Sequence, residues 1–288
     1  MRGQELEQSF LSSRRGAKTE LVFFVNAGDP CPEITFEMLR VLAQHQGAAV
    51  ELCVPFPRSL TDGPLIRASH QRALSNGMTL PAALELVGRA RAELGLAIVV
   101  LADYEHTVEP LGLGHFLRES FSAGASATLI HCLPSGRRQA YVEQSAKLGL
   151  GRIMSFFVGS EEGVRKAAYQ EAEGFIYVVS QFGRTGQKVR FTTGLLDQLV
   201  KIRSETERPL AVGFGVKTAD DVSTLRSTGA DALVIGSAAT AIVQNHLHAP
   251  ERIAASFDDF VRQLAKACAA TPQRHGVETK SVVSPTYS

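Results

Sequence analysis

Cysteine is scarce and scattered. The 288-residue chain has four, Cys31, Cys53, Cys132 and Cys268, with no CxxC pair. That spacing argues against a disulfide framework and against a cysteine-rich zinc site, and it fits a reducing compartment. An excess of charge of either sign is also missing: 30 Lys and Arg stand against 29 Asp and Glu, a net charge of +1. Such a balance gives no field for nucleic acid or for an anionic membrane surface. The pairs Arg14-Arg15 and Arg137-Arg138 are too short to change this. No apolar run approaches the length of a membrane span, and the first twenty residues, MRGQELEQSFLSSRRGAKTE, contain no apolar signal-peptide region. A soluble, cytoplasmic protein without nucleic-acid or membrane partners is expected. No Gly-x-Gly-x-x-Gly opens the first β/α unit, which weakens a dinucleotide-binding fold.

What is present is regular. With 44% hydrophobic and 20% charged residues the composition is that of an ordinary globular chain. Short apolar runs at 21–26, 48–54, 96–102, 125–131, 152–158, 174–180, 209–214 and 231–236 read as strands. Amphipathic stretches such as 36–46, 80–94, 137–149, 193–206 and 219–229 separate them and read as helices. Glycines 47, 95, 124, 149, 174 and 229 fall at the helix-to-strand junctions. Eight alternations predict a closed (β/α)8 TIM barrel of class α/β, in one domain, with a doubly wound open sheet as the alternative. The expected division is an N-terminal extension at 1–19, the barrel at 20–268, and a disordered polar tail at 269–288.

One strand breaks its own pattern. VELCVPFPRSLTDGP (50–64) sets Glu51 in an apolar run and follows it with Asp62 in a Gly/Pro-marked loop. A buried carboxylate is costly unless it is paired or used. No basic residue lies in the interior of a predicted strand, so pairing with a buried Lys or Arg is the weaker reading. Active sites of such barrels lie at the carboxyl ends of the strands, which places Glu51 in the mouth with Asp62 above it. Two carboxylates there can divide acid and base work. Asp62 alone is weaker, because TDGP is also good turn chemistry. In the seventh and eighth units, GFGVKTADD (213–221) and VIGSAAT (234–240) place glycines at strand ends before helices. Thr218 reads as an N-cap, and together the two form a candidate phosphate site. Tyr177, His131 and Cys132 also fall near the mouth, where each could equally be ordinary packing.

Taken in order, these motifs resemble the tryptophan synthase alpha subunit family. FFVNAGDP (23–30) is similar to that family's Phe-Val-Thr-Ala-Gly-Asp-Pro, and 50–66 is similar to its Ile-Glu-Leu-Gly-Val-Pro-Phe-Ser-Asp-Pro-Leu-Ala-Asp-Gly-Pro-Val-Ile. RALSNGMTL (72–80) resembles its next helix, VVSQFGRTG (178–186) its closing loop, and VGFGVKT with VIGSA its phosphate site. The resemblance covers roughly residues 20–265. It implies a lyase that cleaves indole-3-glycerol phosphate into indole and glyceraldehyde 3-phosphate by a retro-aldol step. It also implies roles. Glu51 would be the general acid/base, Asp62 the partner of the indole N–H, and Tyr177 the tyrosine beside the catalytic Glu. Gly186, Gly215, Gly236 and Ser237 would contact the phosphate, Phe24, Leu101, Leu129 and Phe214 would form the ring slot, and Thr185 would meet Asp62 on loop closure. No metal and no cofactor are expected on this chain; pyridoxal phosphate would belong to a beta-type partner.

The departures cluster. Pro57-Arg58-Ser59 stands where the family has Ser-Asp-Pro, Gln181 replaces an arginine, and Arg184 replaces a valine. Asp103-Tyr104-Glu105-His106 and Cys132-Leu133-Pro134 replace Tyr-Tyr-Asn-Pro and Asp-Leu-Pro. These changes make coupling to an ordinary beta subunit doubtful. The readings left open are a lyase for a related aryl-glycerol phosphate, a non-catalytic activator of a pyridoxal-phosphate beta-type enzyme, and another phosphosugar barrel enzyme such as an isomerase.

Overall fold

The computed structural model describes residues 1–45, 47, 49–59, 61–179 and 191–269. Its strands are β1 (Glu20–Asn26), β2 (Ala49–Cys53), β3 (Ile98–Asp103), β4 (Ala127–His131), β5, β6 (Ile176–Val179), β7 (Leu210–Gly213) and β8 (Ala232–Ile235). Ile153 divides β5 into Gly151–Arg152 and Met154–Phe157, which makes nine segments in all. All nine pair in parallel. The first piece of β5 pairs with β4 and the second with β6, so the ring closes through one interrupted strand. The (β/α)8 barrel expected from the sequence is the fold.

Helices α2 (Pro32–Gln44), α3 (Pro64–Ser75), α4 (Leu80–Leu94), α5 (Leu113–Ser122), α6 (Arg138–Leu148) and α7 (Glu162–Glu171) cover the first half of the barrel. Helices α8 (Thr193–Ser204), α9 (Ala219–Arg226), α10 (Ser237–Asn245) and α11 (Ile253–Ala269) cover the rest, and α1 (Arg2–Arg15) precedes β1. Their ends follow local chemistry: Thr79 and Thr192 cap α4 and α8 with their side chains, and Gly95 and Gly149 end α4 and α6 in the left-handed region. RALSNGMTL is not one helix: α3 ends at Ser75, and α4 begins at Leu80. The last helix reaches Ala269, one residue into the expected tail, and residues 270–288 lie outside those described.

Packing is in two layers. Outside the ring, strands and helices share the larger cluster, which includes Phe23, Leu39, Phe116, Val212 and Phe257. Inside, Val22, Ala49, Val99, Ala127, Leu129, Ala211, Ala232 and Val234 fill the barrel. Residues two apart along a strand face the same side, so this inner set identifies every other inward position. Leu6 and Phe10 of α1 join it from below, with Phe10 edge-on to Phe175 at 5.3 Å. The N-terminal helix thus closes the floor of the barrel.

Candidate active site

Glu51 lies between Ala49 and Cys53 on β2, in register with Phe24 on one side and Val99 on the other. Ala49 and Val99 both belong to the inner cluster, so Glu51 points into the barrel. It is 1% exposed, and its Oε1 has no hydrogen-bond partner among the described residues. Burial raises its pKa from 4.5 to about 8, so the group is mostly protonated at neutral pH. Among the described residues no cation pairs with Glu51.

Asp62 sits above, with Ser59 and His70 among the side chains that hold it on the loop. Ser59 Oγ donates to its Oδ2 at 2.7 Å, and His70 Nε2 approaches the same oxygen at 3.3 Å. His70 Nδ1 accepts from the Phe56 N–H at 3.4 Å, which leaves the ring proton on Nε2 to donate to Asp62. Neither holder stood out in the sequence: Ser59 looked like part of the altered outer loop, and His70, eight positions from Asp62, falls in no motif. In the structure Pro57 and Arg58 face solvent, whereas Ser59 turns inward. The Tyr177 hydroxyl pKa is raised by burial, then by the charges of Glu51 and Asp62, which puts that phenol in the field of both carboxylates. Gly213 permits this placement, since a methyl group there would lie 2.4 Å from the Tyr177 oxygen.

Of the ring-slot residues, Leu101 and Leu129 are partners across β3 and β4 on the inner face, and Phe24 lies against Gly236. Phe214 is fully buried and groups with the larger outer cluster. Gly215 has φ +69°, and Ser237 opens α10 behind Gly236. The two neighbouring helix starts differ. A capping box between Thr218 and Asp221 satisfies α9, whereas α10 has no side-chain cap, so its first N–H groups are available to an anion. Gln181, Arg184, Thr185 and Gly186 lie outside the described residues.

A second polar group occupies the rim. Asp103 Oδ1 meets His131 Nδ1 at 3.0 Å, and its Oδ2 meets His106 Nδ1 at 2.7 Å and the His106 N–H at 3.0 Å. His131 Nε2 lies 3.0 Å from Thr61 Oγ1 and 3.5 Å from Cys132 Sγ. Burial alone would lower the His131 pKa, but hydrogen bonds with Asp103 and Cys132 outweigh it and carry it to about 10. Burial pushes Asp103 up, and its bonds to His131 and His106 bring it below the usual carboxylate value. Asp103, His131 and Cys132 present donor atoms within 4.8 Å of one another. Asp103 and Cys132 contact opposite nitrogens of one imidazole, however, so the three do not converge on a common point as metal ligands must. A surface cleft of about 330 Å³ lined by Ser9, Glu20, Gly47 and Leu94 lies at the amino end of the strands, away from Glu51.

Comparison with known proteins finds relatives that span most of the chain. The family model described as tryptophan synthase alpha chain matches residues 10–269. The tryptophan synthase alpha chain of Polynucleobacter asymbioticus is 34% identical over 262 residues, spanning 90% of this chain and 96% of that protein. That of Gloeobacter violaceus is 34% identical over 259 residues, spanning 89% and 92%. Among solved structures, the tryptophan synthase A-subunit from Pyrococcus furiosus superposes with a TM-score of 0.77 at 27% identity, covering 86% of this chain and 98% of that one. A chain of the tryptophan synthase complex from the same organism gives 0.78 at 26%, with the same coverage.

Proposed function

The chain belongs to the tryptophan synthase alpha chain family, and from that premise we propose how its own residues carry the cleavage of indole-3-glycerol phosphate to indole and glyceraldehyde 3-phosphate. The observation that carries the assignment is Glu51: inward-facing, 1% exposed, without a cation among the described residues, and with a pKa raised to about 8. A carboxyl group kept protonated near neutral pH can act first as an acid. Its proton goes to C3 of the indole ring, and the positive charge appears at the ring nitrogen. Asp62 accepts the N–H hydrogen bond and stabilises that charge. Ser59 and His70 hold its carboxylate in place. The Glu51 carboxylate then takes the proton of the side-chain hydroxyl, the carbon–carbon bond breaks, and its electron pair returns to the ring. Indole and the aldehyde leave, and Glu51 is protonated again.

Tyr177 borders the carboxylates, and Phe24, Leu101 and Leu129 hold the ring, with Phe214 supporting the slot from its outer side. The phosphate rests on the uncapped start of α10 at Gly236 and Ser237, beside Gly215. Gly186 and Thr185 complete the assignment as phosphate contact and loop-closing residue. Side chains supply every proton transfer, so the cycle draws on no cofactor. In the cell we place the enzyme in the cytoplasm. Arg58, exposed on the loop beside Asp62, puts a positive charge on the outer surface and decouples the chain from an ordinary beta-type subunit.

Indole release from indole-3-glycerol phosphate by the isolated protein is the test, beside Glu51→Gln and Asp62→Asn. Release that both substitutions abolish supports the assignment, and unchanged release by Glu51→Gln overturns it. Mutual activation on mixing with an ordinary beta subunit would overturn the decoupling.

A further inference from the structure

Asp103 and His131 form the top rung of the ladder between β3 and β4, one inward-facing step above the Leu101–Leu129 rung. Two residues further down, Val99 and Ala127 belong to the inner barrel cluster, so all three rungs face the same space. The lower two are apolar and the top one is ionic. From it, a string of hydrogen-bonding groups runs from Asp103 through His131 to Thr61 Oγ1, and Thr61 is the residue next to Asp62. With His131 donating from both nitrogens, the Thr61 hydroxyl accepts from Nε2 and its own proton is directed onward. The His131 side chain is 29% exposed, whereas Asp103 is 7% exposed. Beside them the Nε2 of His106 is buried and has no partner among the described residues.

An unsubstituted indole presents only C–H along its benzo edge. Seated against this rung it would take water from Thr61 and the Asp103–His131 pair and return no hydrogen bond. A site with such groups discriminates against a ligand that leaves them unpaired. We infer that this rung reads an oxygen on the ring, so that the slot favours indole-3-glycerol phosphates carrying a hydroxyl on the benzo edge, with Thr61 and His131 as the recognising groups. The inference rests on the lyase reading above and narrows its substrate class. Because Asp62 is assigned to the ring N–H and Thr61 adjoins it, the positions nearest the nitrogen, 7 and then 6, are the ones favoured.

The chain has no tryptophan and five tyrosines, so indole fluorescence excited beyond the tyrosine absorption reports the ligand without protein background. Binding of indole and of 4-, 5-, 6- and 7-hydroxyindole is measured that way. Condensation of each with glyceraldehyde 3-phosphate is followed in parallel, in wild type, His131→Ala and Thr61→Val. At least one hydroxyindole is expected to bind, and to condense, about tenfold or more better than indole, with the ratio falling toward one in both variants. A wild type that prefers indole to all four overturns the inference, and so does a preference that survives both substitutions. Failure of the lyase reading looks different: no ring condenses, yet the hydroxyindole binding preference and its loss in the variants remain.

Discussion

Asp231 at the floor of the barrel and Glu51 at its mouth are almost equally hidden, 4% and 1% exposed, yet their surroundings are opposite. Asp231 takes hydrogen bonds from Arg14 Nε at 2.5 Å and Nη2 at 2.8 Å, from Arg203 Nη1 at 2.7 Å, and from the Leu210 N–H at 2.8 Å. Arg208 likewise grips Glu7, and Arg152 grips Glu173. The floor neutralises each of these acids with a guanidinium, and it ties α1 to the ring in doing so. At the mouth no cation among the described residues pairs with Glu51, and burial holds its proton. One end of the fold uses charge for cohesion, and the other keeps a carboxyl group ready for proton transfer.

The sharpest way to test that contrast is to neutralise each acid in turn. Glu51→Gln is expected to lower kcat for indole release by about 10³-fold or more, in the range general acid–base groups supply, with the fold intact by circular dichroism. Asp231→Ala should do the reverse. It strands two guanidinium groups, and urea denaturation should show a loss of roughly 3–5 kcal/mol, with kcat of the folded protein close to wild type. A catalytic collapse in Asp231→Ala without loss of stability would break the comparison.

A second test uses pH. Folded Glu51 titrates near 8 and an ordinary glutamate at 4.5, so between those values the native state holds the extra proton. The contribution of this group to stability is therefore fullest below about pH 4.5 and declines as pH rises toward 8, by at most about 1.4 kcal/mol per pH unit. Glu51→Gln removes the titration. The difference in unfolding free energy between wild type and Glu51→Gln, measured from pH 5 to 9, should fall for wild type across that window and then level off. The same ionisation predicts a kcat/KM that declines above about pH 8, where the acid form is lost.

The mouth was more legible in the sequence than the floor. Glu51 announced itself because one charged residue in a strand buried on both faces violates the composition such strands require. The eight strands and the glycine-ended helices were likewise written in local pattern, and Thr218 in cap chemistry. Hidden from the sequence were features that depend on distance in the fold. The role of α1 as a floor needs Phe10 to meet Phe175 and Arg14 to meet Asp231, pairs more than 160 residues apart. Ile153 divides β5 with no glycine or proline to signal it. Asp103 and His131 each looked like a lone polar residue at a strand end until the register of β3 and β4 placed them side by side.

His70 offers the finest test, because its two nitrogens serve different ends of the site. Nδ1 accepts from the Phe56 N–H just beyond the end of β2, and Nε2 steadies Asp62. An asparagine reaches only as far as the first position, and a glutamine extends to the second. His70→Asn should then keep the backbone contact and release Asp62, lowering kcat roughly tenfold, about 1.4 kcal/mol of transition-state stabilisation. KM should change little, because the lost interaction acts where charge develops on the ring. His70→Gln should recover much of that rate at some expense of stability, since the Phe56 donor is left without its acceptor. If the two variants lose kcat equally, His70 serves the mouth only as packing beneath Phe56, 4.5 Å from its ring, and the holding of Asp62 falls to its other contacts, Ser59 among them.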